Sequence, residues 1–461
     1  MSLADAQLHF LAATSPSLHF CPSISVRLRP PTTRLVPINE VYSFLTLSLL
    51  FIGTKRSRFS LRQRADKPFR HLLGRLCSSY PQIASNLMSF QALTSQTCVM
   101  EVPASYVFEA MVLKSQYPHA RTARLPGQQF ATIGLGAFLD RSAFPWDLEP
   151  WDTDRIITKA RCYALAERLR ERQRVTRVPA PVISGEAAMI VAGVPSWNSA
   201  PPIVYRDESS TKRLSPFPAV QLGSHRVPAA EATNLGVAPP GILQNTVEFH
   251  GIRLASTLAT IVDLAKTLPM HQAYANVCTI FGVETGFDNF HLDQSRSREA
   301  DLRRDLLEQI EQLPRFPGVR RTKALIAHAD AATGSVLEAM FIWLLRCNLK
   351  RSVAWETQHH VFLDGNNYFC DAAIPSAKLS LEFDGIAKFG SDPATVKSQI
   401  TRFLDRVQAF QNNGWTTRAM TARDVRHPMI ATALLRERLE PFRVLRPAPG
   451  GPPLWEGDWG R

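Results

Sequence analysis

The chain has 461 residues, of which 45% are hydrophobic, with 53 Lys and Arg against 40 Asp and Glu and a formal net charge of +13. This length exceeds one domain and this apolar share supports packed cores, which excludes a fibrous or wholly disordered chain. Residues 1–87 hold eleven Lys or Arg against three acids, and that surplus of eight leaves five for the remaining 374 residues, an excess too mild to argue for nucleic acid by itself.

Residues 1–87 show no helical period and mix Ser, Pro and Arg with apolar patches, so they read as a poorly structured basic extension, with Met88 or Met100 as possible alternative starts. The apolar run Tyr42–Gly53 has about twelve residues, short of the roughly 20 that a spanning helix needs, and it lies too far into the chain for a signal peptide. No membrane partner is expected. The basic run Lys55–Arg75 reads as a solvated arm able to touch DNA. From Met88 to about Trp151 the pattern predicts helix, helix, hairpin. Ser105 to Leu113 has helical apolar spacing, and Thr122 to Leu139 alternates around Gly127 and Gly134, the outline of a winged helix-turn-helix. Arg121 and Arg124 are the candidates there for phosphate contact, although surface arginines without that role are commoner.

A helix is predicted from Asp154 to Arg172, and a second opens after Ser184 as N-cap and ends near Gly193. Pro201 to Ser256 is strand-rich and proline-rich. Gly251 to Ala265 then reads as a strand feeding a buried helix whose core positions are Leu258, Ile261, Val262 and Ala265, with Asp263 as a structural hydrogen-bonding residue. No phosphate-cradling glycine loop, zinc-ligand set or Ser-His-Asp arrangement stands out. Residues 296–330 form a charged helical connector whose second helix runs from Val319 to Ala329. Arg320, Arg321 and Lys323 are candidates to extend a DNA face, a neutral connector being the other reading.

The stretch YFCDAAIPSAKLSLEFDGIAK, Tyr368 to Lys388, carries the chemistry. Alternation puts Leu379, Leu381 and Phe383 on one face of a strand and Ser380, Glu382 and Asp384 on the other. The short linker Pro375-Ser376-Ala377 allows a hairpin that brings Asp371, on the preceding strand, beside Glu382. Three carboxylates at one spot repel and raise one another's pKa. Mg²⁺ or Mn²⁺ removes the conflict, because such hard cations take oxygen ligands and bridge to phosphates. Asp371, Glu382 and Asp384 are thus the candidate metal ligands, with Lys388 to orient a water or neutralise the transition-state charge. Ordinary strand and turn residues would satisfy the same spacing. Ser335 and Glu338 have capping-box spacing ahead of an apolar run. His359 and His360, in a strand predicted from Val353 to Phe362, have no metal partner at ligand spacing. The seven cysteines contain no C-x-x-C and are odd in number, which fits a reducing cytoplasm better than a disulfide framework. Cys370 is expected to be a core thiol turned to the face opposite Asp371.

The segment from Gly334 to about Glu440 resembles the PD-(D/E)XK nuclease superfamily, in its branch similar to very-short-patch-repair endonucleases. The residues that carry the likeness are Ser335–Glu338, Asp371, Glu382-Phe383-Asp384-Gly385, the helix-like run Thr395–Gln411 and Gly414-Trp415-Thr416-Thr417-Arg418. The position two after Glu382 is Asp384 rather than Lys, and Leu404, Asp405 and Val407 stand where the branch carries more charge. The resemblance also implies that Glu338 reaches the metal or its water from the first turn of its helix. Ala131–Phe138, Pro145-Trp146-Asp147, the helix Asp154–Arg172 and Gly251–Ala265 resemble the abortive-infection AbiEi-type antitoxins, which are DNA-binding repressors.

The expected fold class is therefore multidomain α+β. Its parts are the extension 1–87, a winged-helix-like domain 88–150, an antitoxin-like α+β middle domain with helical connector 151–330, a restriction-endonuclease-like α/β domain with a mixed sheet 331–445, and a disordered tail 446–461. The implied function is a Mg²⁺-dependent DNA endonuclease. The alternative is a DNA-binding regulator or antitoxin with an inactive nuclease fold and a toxin partner.

Overall fold

The computed structural model of the protein describes residues 102–114, 129–145, 148–176, 181–207, 216–384 and 393–447. Within them it is a mixed α+β fold with four sheets. No helix among the described residues is long and apolar enough to cross a membrane.

Helix α1 (Ala104–Glu109) leads directly into strand β1 (Met111–Leu113). The helix expected from Ser105 to Leu113 is thus cut short. Met111 to Leu113 pair instead with Leu139 to Ala137, because tertiary pairing outweighs a weak local helical preference. Strands β2 (Phe130–Gly134) and β3 (Ala137–Asp140) form the hairpin the alternation predicts, and the sheet order is β1-β3-β2. Gly134, Leu135 and Gly136 all have positive φ in this turn. At Gly134 a side chain would also be blocked, since a Cβ would lie 3.0 Å from Pro218 Cδ.

Helix α2 (Pro150–Thr176) runs beyond the predicted bounds and buries Ile156, Ile157, Ala160, Leu165 and Leu169 against both this sheet and the next. The second sheet is built from β4 (Val182–Ser184), β5 (Ile203–Arg206), β8 (Ala232–Asn234), β9 (Val247–Phe249) and β10 (Ile252–Leu254), in the order β8-β5-β4-β10-β9. Helix α3 (Gly185–Val191) follows β4, and strands β6 (Val220–Leu222) and β7 (His225–Val227) make a separate hairpin. Ser184 occupies the N-cap position of α3 without capping it. Its hydroxyl instead donates to Asp263 Oδ2 at 2.6 Å, and Arg206 Nε binds the same oxygen at 3.0 Å. Asp263 is a buried structural anion, as its place on an apolar helix implies.

Helices α4 (Thr257–Thr267), α5 (Met270–Thr285), α6 (Leu292–Gln312) and α7 (Val319–His328) follow. Helix α5, not anticipated from the sequence, is buried along most of its length. Its Tyr274 ring packs on Trp343 of α8 (Val336–Asn348), centroids 5.2 Å apart. One apolar core consequently runs without interruption from α4 through α5 and α8 to the last sheet.

That sheet comprises β11 (Glu356–Leu363), β12 (Asn366–Ile374), β13 (Leu379–Asp384) and β14 (Thr416–Thr421), in sequential order. The first three strands are antiparallel, whereas β13 and β14 are parallel and are joined through helix α9 (Pro393–Asn412). A parallel pair requires such a crossover. Helices α10 (Ala422–Val425) and α11 (Pro428–Leu439) close the region.

Candidate active site

The turn Pro375–Ala377, completed by Lys378 at φ 46, folds β13 back on β12. Ala372 pairs with Leu381, and Asp371 lies one step beyond that position. The strand pairing ends there, and Asp371 and Glu382 are the next residues of the two strands. Asp371 Oδ2 accepts the backbone N–H of Phe383 at 2.7 Å, which ties this carboxylate to the backbone beside Glu382.

Leu379, Leu381 and Phe383 enter the main core, while Ser380 and Glu382 point to the other face. That second face is also covered: Ser380 is fully buried and Glu382 is only 7% exposed. Glu382 Oε1 accepts from the Ser380 hydroxyl and, at 2.7 Å, from Arg406 Nη2 of α9. Arg406 also donates to Phe369 O at 2.8 Å and lies over the Phe410 ring, 5.5 Å from its centroid. Burial opposes the charge on Arg406, but Glu382, with Cys370 and Asp371, outweighs it and holds the guanidinium proton more tightly than usual.

Cys370 departs from the expected orientation. Strict alternation puts Cys370 and Ala373 on opposite faces, yet both join Ala409 and Phe410 in one small core on the α9 side. The alternation slips at Asp371. Opposite this point Gln358 of β11 has φ 50, and the β11–β12 pairing passes from Thr357–Ala372 to His359–Cys370 without it. Cys370 remains a core thiol, as expected. Burial and the nearby Glu382 push its pKa up to about 12, which keeps it a neutral thiol rather than a nucleophilic thiolate.

Glu338 combines three contacts. Ser335 Oγ accepts from the Glu338 N–H at 3.1 Å, the predicted cap, and Glu338 Oε2 accepts from Gly334 N–H at 3.0 Å. Its other oxygen accepts from Gln358 Nε2 at 3.2 Å, while Gln358 Oε1 accepts from Asn289 Nδ2 at 2.8 Å. Glu338 is thus linked through Gln358 to the strand position level with Asp371.

For Asp384 only the backbone is described: it ends β13, paired with Thr421. Lys388, Arg121 and Arg124 lie outside the described residues. Arg320 is exposed on α7. Its neighbour Arg321 turns inward, donating to Leu268 O at 2.5 Å and Met270 Sδ at 3.2 Å, and so braces the α4–α5 turn. His359 binds Glu356 Oε2 at 2.7 Å and His360 binds Asn367 Oδ1 at 2.8 Å.

The two described carboxylates have the oxygen chemistry that Mg²⁺ or Mn²⁺ requires. Among the described residues, however, no group of three His, Cys, Asp or Glu side chains comes together to hold a metal ion, and Glu382 is ion-paired with Arg406. Neither Arg406 nor Gln358 was singled out in the sequence. A long basic side chain on an amphipathic helix and a polar residue mid-strand carry no distinguishing local signal. Searches with this chain against protein-family models, curated proteins and solved structures find no match.

Proposed function

We propose that the protein is a metal-dependent endonuclease that hydrolyses DNA phosphodiester bonds, with Asp371, Glu382 and Asp384 as metal donors. The observation that carries this reading is the Asp371 carboxylate bound to the β13 backbone at Phe383, next to Glu382, in a segment ordered helix, three antiparallel strands, helix, parallel strand. That segment contains the helix, Asp strand, E-x-D-G strand, helix and Gly-Trp strand that the nuclease resemblance implies, with β11 in addition. When bound, Mg²⁺ or Mn²⁺ supplies a water of lowered pKa and neutralises phosphoryl charge. The chain's own groups orient the donors: the Phe383 N–H fixes Asp371, the Ser380 hydroxyl fixes Glu382, and Glu338 acts on the strand through Gln358. Lys388 is assigned the role of orienting water or countering developing negative charge. Arg320, with Arg121 and Arg124, is assigned to phosphate contact.

A second reading has one observation in its favour. Because Arg406 already neutralises Glu382, the fold also suits a DNA-binding regulator, antitoxin-like, whose nuclease site does not cut. A plasmid-nicking assay with Mg²⁺ separates the two. Under the enzyme reading Asp371→Ala and Glu382→Ala each lower the nicking rate at least about 100-fold, the scale of losing preorganised charge stabilisation. DNA binding without metal-dependent cutting by the unaltered chain sinks the enzyme reading and favours the regulator.

A further inference from the structure

A carboxylate as deeply placed as Glu382, 7% exposed, must be compensated by charge or by donors. Here the compensation comes from within the chain. Arg406 donates to Glu382 Oε1 at 2.7 Å and is held in that position independently by the Phe369 carbonyl and the Phe410 ring. We propose that Arg406 is the resident counter-ion of Glu382, and that a divalent cation gains this carboxylate only by displacing the guanidinium.

The proposal rests on the reading of Asp371 and Glu382 as metal donors and specifies what controls their loading. An ion on Glu382 would stand beside the guanidinium, and two cations sharing one carboxylate repel each other. Arg406 is the more exposed member of the pair. Its side chain is 30% exposed, against 9% for that of Glu382, and a long arginine can carry its charged head to water while its stem stays packed. Losing the guanidinium removes a cation from the buried Glu382 carboxylate while the Ser380 hydroxyl still donates to it, a condition that favours a divalent cation. Asp371 is hydrogen-bonded to a neutral backbone N–H, so Arg406 acts on it through space and no hydrogen bond has to break there.

The test is Mn²⁺ titration of the full chain, with free Mn²⁺ followed by electron paramagnetic resonance. Unaltered protein is compared with Arg406→Gln, Arg406→Lys and Glu382→Gln, each checked for folding by circular dichroism. The expected result is Mn²⁺ bound at least about tenfold more tightly by Arg406→Gln than by the unaltered chain, and more weakly by Glu382→Gln than by either. Equal or weaker binding by Arg406→Gln overturns the counter-ion role but leaves the metal site standing, because Mn²⁺ still binds. Absence of Mn²⁺ binding in every form overturns both. If Arg406→Gln does not fold, Arg406→Lys decides: its single ammonium on a shorter reach holds Glu382 less firmly. A severalfold tightening is then expected, and an unchanged affinity overturns the proposal.

Discussion

Asp330 shows how a charge can be buried at a profit to the fold. It is 4% exposed, and its carboxylate meets Arg296 at 3.0 Å, the Thr357 hydroxyl at 2.7 Å, the Ala332 N–H at 3.0 Å and Arg346 at 3.7 Å. Burial alone raises a carboxyl pKa, but Arg296 and Arg346 outweigh it and hold Asp330 below the ordinary carboxylate range. A pKa depressed by folding contributes stability that is present above the unfolded value of about 3.9 and lost as pH falls through the folded value. Asp330→Asn is therefore expected to lose roughly 3–5 kcal/mol at pH 7, as for breaking one side of a buried pair. It should also show a shallower loss of stability below about pH 4. Urea unfolding at pH 7 and pH 3 checks both, and an unchanged acid slope would count against the pairing.

The strand β11 stores a local distortion at Gln358, a buried non-glycine residue with φ 50. A left-handed conformation costs an L-residue on the order of 1 kcal/mol. Its side chain offsets that cost by bridging Asn289 and Glu338, which joins α8 to the strand level with Asp371. Gln358→Ala and Gln358→Gly both remove the bridges, but only glycine relieves the backbone. Glycine is expected to be the more stable of the two by about 1 kcal/mol in chemical denaturation. An alanine variant equal to or better than the glycine variant would show that the strain is not there.

The packing of the described residues ties the segment 331–445 to what precedes it. Trp343 and Tyr274 are both fully buried, and α8 contributes Ala339, Met340, Phe341, Ile342, Leu344 and Leu345 to the same core as α4 and α5. Arg296 on α6 reaches Thr357 on β11 at 2.6 Å through the hydroxyl. A fragment limited to residues 331–445 would expose that apolar surface and strand Arg346 without Tyr274 and Asp330. It is expected to lack a cooperative thermal transition and to bind a hydrophobic dye, whereas the full chain unfolds cooperatively. A sharp transition from the fragment would establish the segment as self-sufficient.

The local grammar of the chain determined the strands at 356–384, the hairpin turn at Pro375–Ala377, the Ser335 cap and the strand-to-helix step at 251–265. Period-two alternation, capping and turn chemistry act over a few residues, so they can be read without the fold. Only the tertiary structure decided that Ser184 serves Asp263 instead of its own helix, that Met111 to Leu113 become a strand, that Cys370 turns toward Glu382, and that Arg406 neutralises that carboxylate. Each of these depends on which surfaces meet across the core, and burial makes an otherwise unremarkable Arg or Asp the necessary partner of a distant charge.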